Sequence, residues 1–285
     1  MNQYRESLME VLRGCPAERY AWLEEAVARI HGSDDSANEL AMLSAMARRK
    51  MGECPLPESL PVLATLAGPV HLDYWTTAEL ARAVLILSAT EVTADDGVAA
   101  IEFLFRQGDE TERATIARGL ALFDNDARLK HLIAEAGRAN SLQLVAAVSL
   151  HNPYPQAHYT EREFNQLVLK NLFMGQPIAQ IAGLEERANA ELSRMCEDYF
   201  DERTAAGREV PCDIWLAMGP YASERAERLM SEHLSHDNPE HRCYSGIAIG
   251  YRLKQRPQLR KIVEERLKTE TNARVLEALQ TALAG

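Results

Sequence analysis

Apolar residues return every three or four positions along most of this 285-residue chain, and the returns stop where Gly or Pro appears. An α-helix needs that period to bury one face, whereas a half-buried strand needs alternation at every second residue. Leu8 and Leu12 mark a first helix, and Tyr20, Leu23, Ala26, Val27 and Ile30 a second. A third starts near Ala37, with Leu40, Leu43 and Ala47 on one face. Val and Ile rarely alternate with polar residues, so strands have little support. Cys54–Pro61 contains three prolines and reads as an irregular connector. Thr77 to Ser88 is apolar almost throughout, which predicts a buried helix. Ala94 to Arg106 continues helically, with Ile101, Leu104 and Phe105 facing inward.

Two later segments resemble one another. The first begins at Glu112-Arg113, continues through Leu129, Leu132 and Ile133, and closes with Asn140, Leu144 and Ala147. The second begins at Glu240-His241-Arg242, continues through Leu259, Ile262 and Val263, and closes with Asn272, Leu276 and Leu279. In each, an Arg-led helix, a second helix and an Asn-led third helix recur at nearly the same offset. That texture predicts an all-α fold of stacked antiparallel helical hairpins, a HEAT-like α-solenoid with a right-handed stack, in preference to a compact bundle. One all-helical domain over 1–285 is expected, subdividing into N-terminal helices 1–60, a hairpin array 61–151, central helices 152–222 and a C-terminal repeat 223–285.

Net charge is −11, which argues against nucleic acid or an anionic membrane as the main partner. No apolar run approaches the ~20 residues that span a bilayer, and the polar start Met1–Ser7 lacks a signal core. A cytoplasmic protein, not integral to a membrane, is expected. The five cysteines, Cys15, Cys54, Cys196, Cys212 and Cys243, are dispersed without metal-finger or redox spacing, which predicts reduced, mostly buried thiols.

Chemistry concentrates between Asn152 and Trp215, where Asn, Lys, Arg and Glu interrupt apolar helical faces. Polar groups near a core are costly unless paired, so they tend to serve specificity or a site. Asn152-Pro153-Tyr154-Pro155 cannot continue a helix. Thr160-Glu161-Arg162-Glu163 has the form of a capping box and opens a helix carrying Asn165 and Lys170. On it Phe164, Leu167, Val168, Asn171 and Leu172 share one face, which puts Asn165 at the core boundary. Gly175-Gln176-Pro177 ends that helix, and a short one runs from Pro177 through Ile181. The next is expected from Leu184 to about Ala206, closing with a glycine cap at Gly207. Glu191, Met195, Asp198 and Glu202 would line one of its faces. A carboxylate row can bind a divalent metal or move protons, and it is more often a solvated face laced with ion pairs.

Glu232-His233-Leu234-Ser235-His236 with Glu240-His241 brings imidazoles and carboxylates close in sequence. His233, His236 and His241 are the residues to which a metal would fall. Asp237-Asn238-Pro239 breaks the helix between them, and solvated loop histidines are the preferred reading, so neither metal nor cofactor is expected. Trp22, Trp75 and Trp215 read as core or interface residues. There is no phosphate-cradling glycine loop, no nucleotide-binding fingerprint and no Gly-x-Ser-x-Gly elbow.

The run Asn152-Pro153-Tyr154, Phe164 to Lys170, Gly183-Leu184, Arg187-Ala188-Asn189, Glu191-Leu192, Met195, Tyr199 and Glu202-Arg203 through Gly207-Arg208 resembles the EboA family. The resemblance implies a bacterial protein of the ebo gene cluster, whose neighbours include a prenyltransferase, a sugar-phosphate cyclase-like protein, TIM-barrel proteins and a phosphodiesterase-like protein. That cluster is associated with making or exporting a secondary metabolite, including scytonemin precursors in cyanobacteria. The matching positions raise Asn165, Lys170, Arg187, Asn189, Glu191, Glu202, Arg203 and Arg208 as one candidate surface. Two functions stay open. A non-catalytic scaffold or adaptor would show a groove lined by the central helices. An enzyme or carrier for a sugar-phosphate- or cyclitol-like molecule would gather Lys170, Arg187 and Arg208 around an anion, with Glu191 or Glu202 moving a proton in an enclosed cavity.

Overall fold

The computed structural model describes residues 2–54, 56–93, 95 and 97–285. Pro55 of the expected connector, Ala94 at the expected start of the fifth helix, and Asp96 lie outside them. About 70% of the chain is helical. The chain divides into two compact units, 1–159 and 160–285.

The first unit holds α1 (Asn2–Leu12), α2 (Ala17–Gly32), α3 (Ser36–Met51), β1 (Val62–Thr65), β2 (Gly68–His71), α4 (Thr77–Val92), α5 (Val98–Gln107), α6 (Glu110–Phe123), α7 (Lys130–Arg138), α8 (Leu142–Ser149) and α9 (Pro153–His158). Its axis is α4, buried continuously from Thr77 to Thr90 and packed on by α1, α2, α3 and α6. A helix apolar all round can only be stable when wrapped in this way. Its charged residues take partners as they enter the core, except that Arg82 Nη1 is buried without one among the described residues. Glu79 closes the Thr76 capping box and accepts from Arg118 Nε at 3.3 Å, while Arg82 Nε donates to the Ser44 carbonyl at 3.2 Å. Glu112 does the same for α6, capping Asp109 and accepting from Ser44 Oγ at 2.6 Å.

Strands have little support in the apolar period, yet β1 and β2 form an antiparallel hairpin with Leu63 opposite Val70. Those two side chains are buried and their strand neighbours are not. Four-residue strands hold only one or two alternations, too few to register as a period. The fifth helix begins at Val98, capped by the left-handed Gly97, which shortens the expected start.

Asn152 closes α8 as expected and at once opens α9, with Pro153 at the first helical position. The turn needs His151 at φ +53°, and its ring stacks on Tyr74 at 3.5 Å. Asn152 Nδ2 donates to the Ala117 and Ala147 carbonyls, both at 2.9 Å, and its Oδ1 accepts from Tyr154 N. Tyr154 is fully buried, and its hydroxyl donates to Asp124 Oδ2 at 2.6 Å.

The second unit holds α10 (Glu161–Met174), α11 (Leu184–Arg187), α12 (Ala190–Ala205), α13 (Ile214–Met218), α14 (Glu224–His233), α15 (Pro239–Gly250), α16 (Leu259–Leu267) and α17 (Ala273–Ala284). The Thr160–Glu163 capping box starts α10, and Gly175 at φ +70° ends it. Helix α13 is buried at every position and carries Trp215 into the core. Helix α15 packs on α17 through its glycines: a Cβ at Gly250 would lie 2.9 Å from Ala282 Cβ.

The two similar segments become α6–α8 and α15–α17. In each, the first helix packs on the third and the short middle helix lies against the third. Asn272 caps α17 as expected, but Ser141 takes that place for α8, one residue after Asn140.

Candidate functional site

The single helix expected over Leu184–Ala206 is broken in two. Asn189 adopts extended backbone (φ −151°, ψ 167°) and caps α12 through Leu192 N. The break is bought by a reciprocal amide pair: Asn189 Nδ2 donates to Asn165 Oδ1 at 2.8 Å, and Asn165 Nδ2 donates to Asn189 Oδ1 at 3.1 Å. Asn189 Nδ2 also reaches the Arg187 carbonyl. Asn165 is 2% exposed, so these bonds satisfy an amide held well inside the core.

Of the remaining candidates, Arg187 joins that pair through its backbone carbonyl. Arg187 stacks its guanidinium on the Phe164 ring at 4.8 Å. Lys170 Nζ sits 5.9 Å from the Phe173 ring. Glu191 is exposed and bonds Arg194, which also holds Asp198. Glu202 lies eleven residues along the same helix from Glu191, a rise of about 16 Å, so the two carboxylates cannot meet at one small ligand. Near the end of α12, Arg203 lies 5.9 Å over the Tyr199 ring and its Nε donates to the Glu209 carbonyl at 2.8 Å. Arg208 is exposed and joins this end through its backbone N–H to the Arg203 carbonyl. Burial raises the Tyr199 hydroxyl pKa, and Arg203 and Arg208 oppose the shift. The structure therefore gathers Glu202, Arg203 and Arg208 at one end of α12 and leaves Asn165, Asn189 and Glu191 elsewhere.

Of the eight candidates, Arg203 lines a described cleft. This cleft, about 430 Å³, lies among the end of α10, the last turn of α12, the 209–213 segment and the start of α15. Phe173, Arg203, Asp213, Glu240 and Tyr244 are on its walls. Asp213 Oδ2 accepts from Ala179 N at 3.2 Å, and burial raises its pKa. Glu240 pairs with Arg274 at 2.5 Å, and Arg274 also reaches the Tyr244 hydroxyl. Sequence reasoning missed Phe173, Asp213 and Tyr244. Phe173 was legible as an aromatic off the buried face of α10, but nothing local ties it to Tyr244, seventy-one positions later.

The three histidines are packed, not solvated as a group. Their ring centroids lie 4.3–5.3 Å apart around Trp215. Trp215 Nε1 donates to His241 Nδ1 at 3.1 Å, which fixes that nitrogen as an acceptor. His233 Nδ1 bonds the Leu229 carbonyl, and His236 Nδ1 accepts from Asn238 N. Burial, helped by His236 and His233, pushes the His241 pKa down to about 4, and burial lowers His233 too. Only His236 matches the expected exposed loop position, because Trp215 of α13 draws the other two inward. Among the described residues, no three His, Cys, Asp or Glu side chains are arranged to hold a metal ion.

The family model for EboA matches residues 5–219, well over half the chain and the whole stretch from Asn152 to Trp215. The chain belongs to the EboA family. Its family description is metabolite traffic protein. Comparison with curated proteins and with solved structures finds no match. Within this EboA chain, Asn152, Tyr154, Asn165 and Asn189 are spent on holding the two units' own helices, and the matched stretch ends just after α13. Among the described residues no helix is long and apolar enough to cross a membrane.

Proposed function

We propose that this EboA-family protein is a non-catalytic helical scaffold or adaptor that handles a small-molecule intermediate in an ebo-cluster secondary-metabolite or precursor-export pathway. The observation that supports it most is the dispersal of the ionisable candidates. An enzyme acting on a sugar phosphate needs a cation clamp and a proton-moving carboxylate around one reacting atom. Here Glu191 is tied to Arg194 on an exposed face, Arg187 is stacked on Phe164, and Arg203 lies at the far end of α12.

The family description as a metabolite traffic protein points the same way. We read α6–α8 and α15–α17 as HEAT-like units of a helical array, whose faces suit protein partners. The partners we expect are cytoplasmic and cluster-encoded: the prenyltransferase, the sugar-phosphate cyclase-like protein and the TIM-barrel proteins. Nucleic acid is not among them, given the net charge of −11.

The test is pathway output in cells carrying Lys170→Ala or Glu191→Ala, alongside capture of the cluster proteins by the tagged chain. The adaptor reading expects folded variants, intact capture and unchanged metabolite. Loss of metabolite with fold and capture intact would overturn it in favour of an enzyme.

A further inference from the structure

We propose that Cys15 and Cys54 form a reversible disulfide, closed and opened by exchange with glutathione, that ties the turn between α1 and α2 to the end of α3. The inference concerns the first unit alone and does not depend on the adaptor role. Cys15 lies buried in the turn after α1, its backbone N–H on the Leu12 carbonyl at 3.0 Å. Cys54 stands three residues beyond the end of α3, half-buried, and the two thiols are hydrogen-bonded to each other. Helices α2 and α3 run between them, so no spacing motif announces the pair.

The Cys54 sulfur is held in place from three sides. Arg19, in the first turn of α2, aims Nη1 at the segment leaving α3. It donates to the Met51 carbonyl at 2.7 Å, the Glu53 carbonyl at 3.0 Å and Cys54 Sγ at 3.5 Å. Cys54 N donates to Thr77 Oγ1 at 3.2 Å, which ties the same backbone to α4. Gly52, at φ +57°, leaves room for the guanidinium, since a Cβ there would lie 2.9 Å from Arg19 Nη1. One side chain therefore positions the sulfur and sets a positive charge against it.

That arrangement divides the roles of the two thiols. A cation bonded to sulfur stabilises the negative charge that an attacking sulfur carries. Cys54, partly open to solvent and beside Arg19, attacks glutathione disulfide. A Cys54–glutathione bond forms, and the glutathione thiolate that leaves takes up the proton Cys54 has shed. Burial, reinforced by the contact with Cys54, raises the Cys15 pKa to about 12, so Cys15 waits as a thiol. Cys15 then attacks Cys54 Sγ, and its proton departs with the second glutathione. Two protein thiols are oxidised and one glutathione disulfide is reduced to two glutathiones. In the cytoplasmic setting proposed above, such a bond is a transient response and not a permanent staple.

The test incubates the full chain in glutathione mixtures running from fully reduced to fully oxidised. Samples are quenched in acid, unfolded, alkylated, and mapped by mass spectrometry after proteolysis without reductant. A Cys15–Cys54 peptide is expected to appear as the mixture becomes oxidising and to vanish on return to reduced glutathione. Cys196, fully buried in the second unit, should stay unoxidised throughout. Cys15→Ser should instead accumulate Cys54 bearing glutathione, and Cys54→Ser should leave Cys15 unmodified. A native chain whose Cys15 and Cys54 both remain thiols in oxidised glutathione overturns the proposal. So does a Cys54–glutathione adduct that Cys15 never displaces, or a cross-link that forms only in urea.

Discussion

Asn165 and Asn189 bond each other through both halves of their side-chain amides, at 2.8 and 3.1 Å, across twenty-four residues of chain. Each amide presents a donor to the other's acceptor; removing Asn189 strips the buried Asn165 of both bonds, whereas Asn189 without Asn165 keeps the Arg187 carbonyl and Leu192 N. The same Asn189 oxygen caps α12, so one contact sets the break between α11 and α12 and docks it on α10.

Asn165→Ala is therefore expected to destabilise the second unit by about 0.5–1.5 kcal/mol, the net worth of the lost hydrogen bonds, since Asn189 keeps its other partners. Asn189→Ala should cost more, because it leaves the buried Asn165 amide unpaired and also removes a helix cap worth about 1 kcal/mol. Urea unfolding of both single variants and the double variant checks this. A double variant equal to the sum of the singles would show that the amides do not act as a pair.

His241 predicts an acid-sensitive core. Its pKa lies near 4 in the folded chain against an ordinary 6.5. Between those values the unfolded chain binds the proton more readily, so stability is whole above the upper value and drains as pH falls toward the lower one. The expected loss is about 1–3 kcal/mol. A proton on Nδ1 would also face the Trp215 N–H, so Trp215 fluorescence should change in the same window. In His241→Gln, which keeps an acceptor for the indole, both pH effects should shrink; an unaltered pH profile would count against this account.

Glu270 should govern a second, lower acid transition. Its carboxylate receives Arg242 Nε at 2.8 Å, Arg266 Nη2 at 2.6 Å, and the Thr271 and Asn272 backbone at 2.9 Å each. Arg242 leads the causes that hold its pKa well below the carboxylate range. A depressed carboxylate stabilises the fold above its unfolded value near 4.5, and that stability is lost as pH falls below it. Glu270→Gln is expected to cost about 1–3 kcal/mol at neutral pH, since a buried carboxylate shared by two half-buried guanidinium groups is removed. Thermal melts at neutral pH read it directly, and a change under half a kilocalorie would refute the clamp.

Glu191→Ala should do little. The Glu191–Arg194 pair is 53% and 58% exposed, and water and salt screen such a pair until it adds little to stability. A melting temperature unchanged within error is expected; a large drop would mean that Glu191 does something its position does not show.

The elements were legible where a local rule governs them. The boxes at Thr160–Glu163 and the caps at Asn272 and Gly175 depend on residues three or four apart, and they formed as read. The β1–β2 hairpin was not legible, because Leu63 and Val70 pair across a turn and each strand is four residues long. The helix over 184–206 was overextended for a related reason. Asn189 favours a cap only slightly by itself, and it becomes one because Asn165, on another helix, holds its side chain.

A helical, EboA-type chain and the faces its helices bury are legible from local patterns, since period, proline and capping chemistry act within a turn or two. The same patterns also mark the stretch in which polar residues enter the core. Tertiary structure alone decided which of those residues pair, which stack and which face a cleft. Asn165 meets Asn189, Trp215 meets His241, and Phe173 shares a cleft wall with Tyr244. A buried hydrogen bond or ring contact depends on the position of two distant backbones, and no spacing along one helix carries that information.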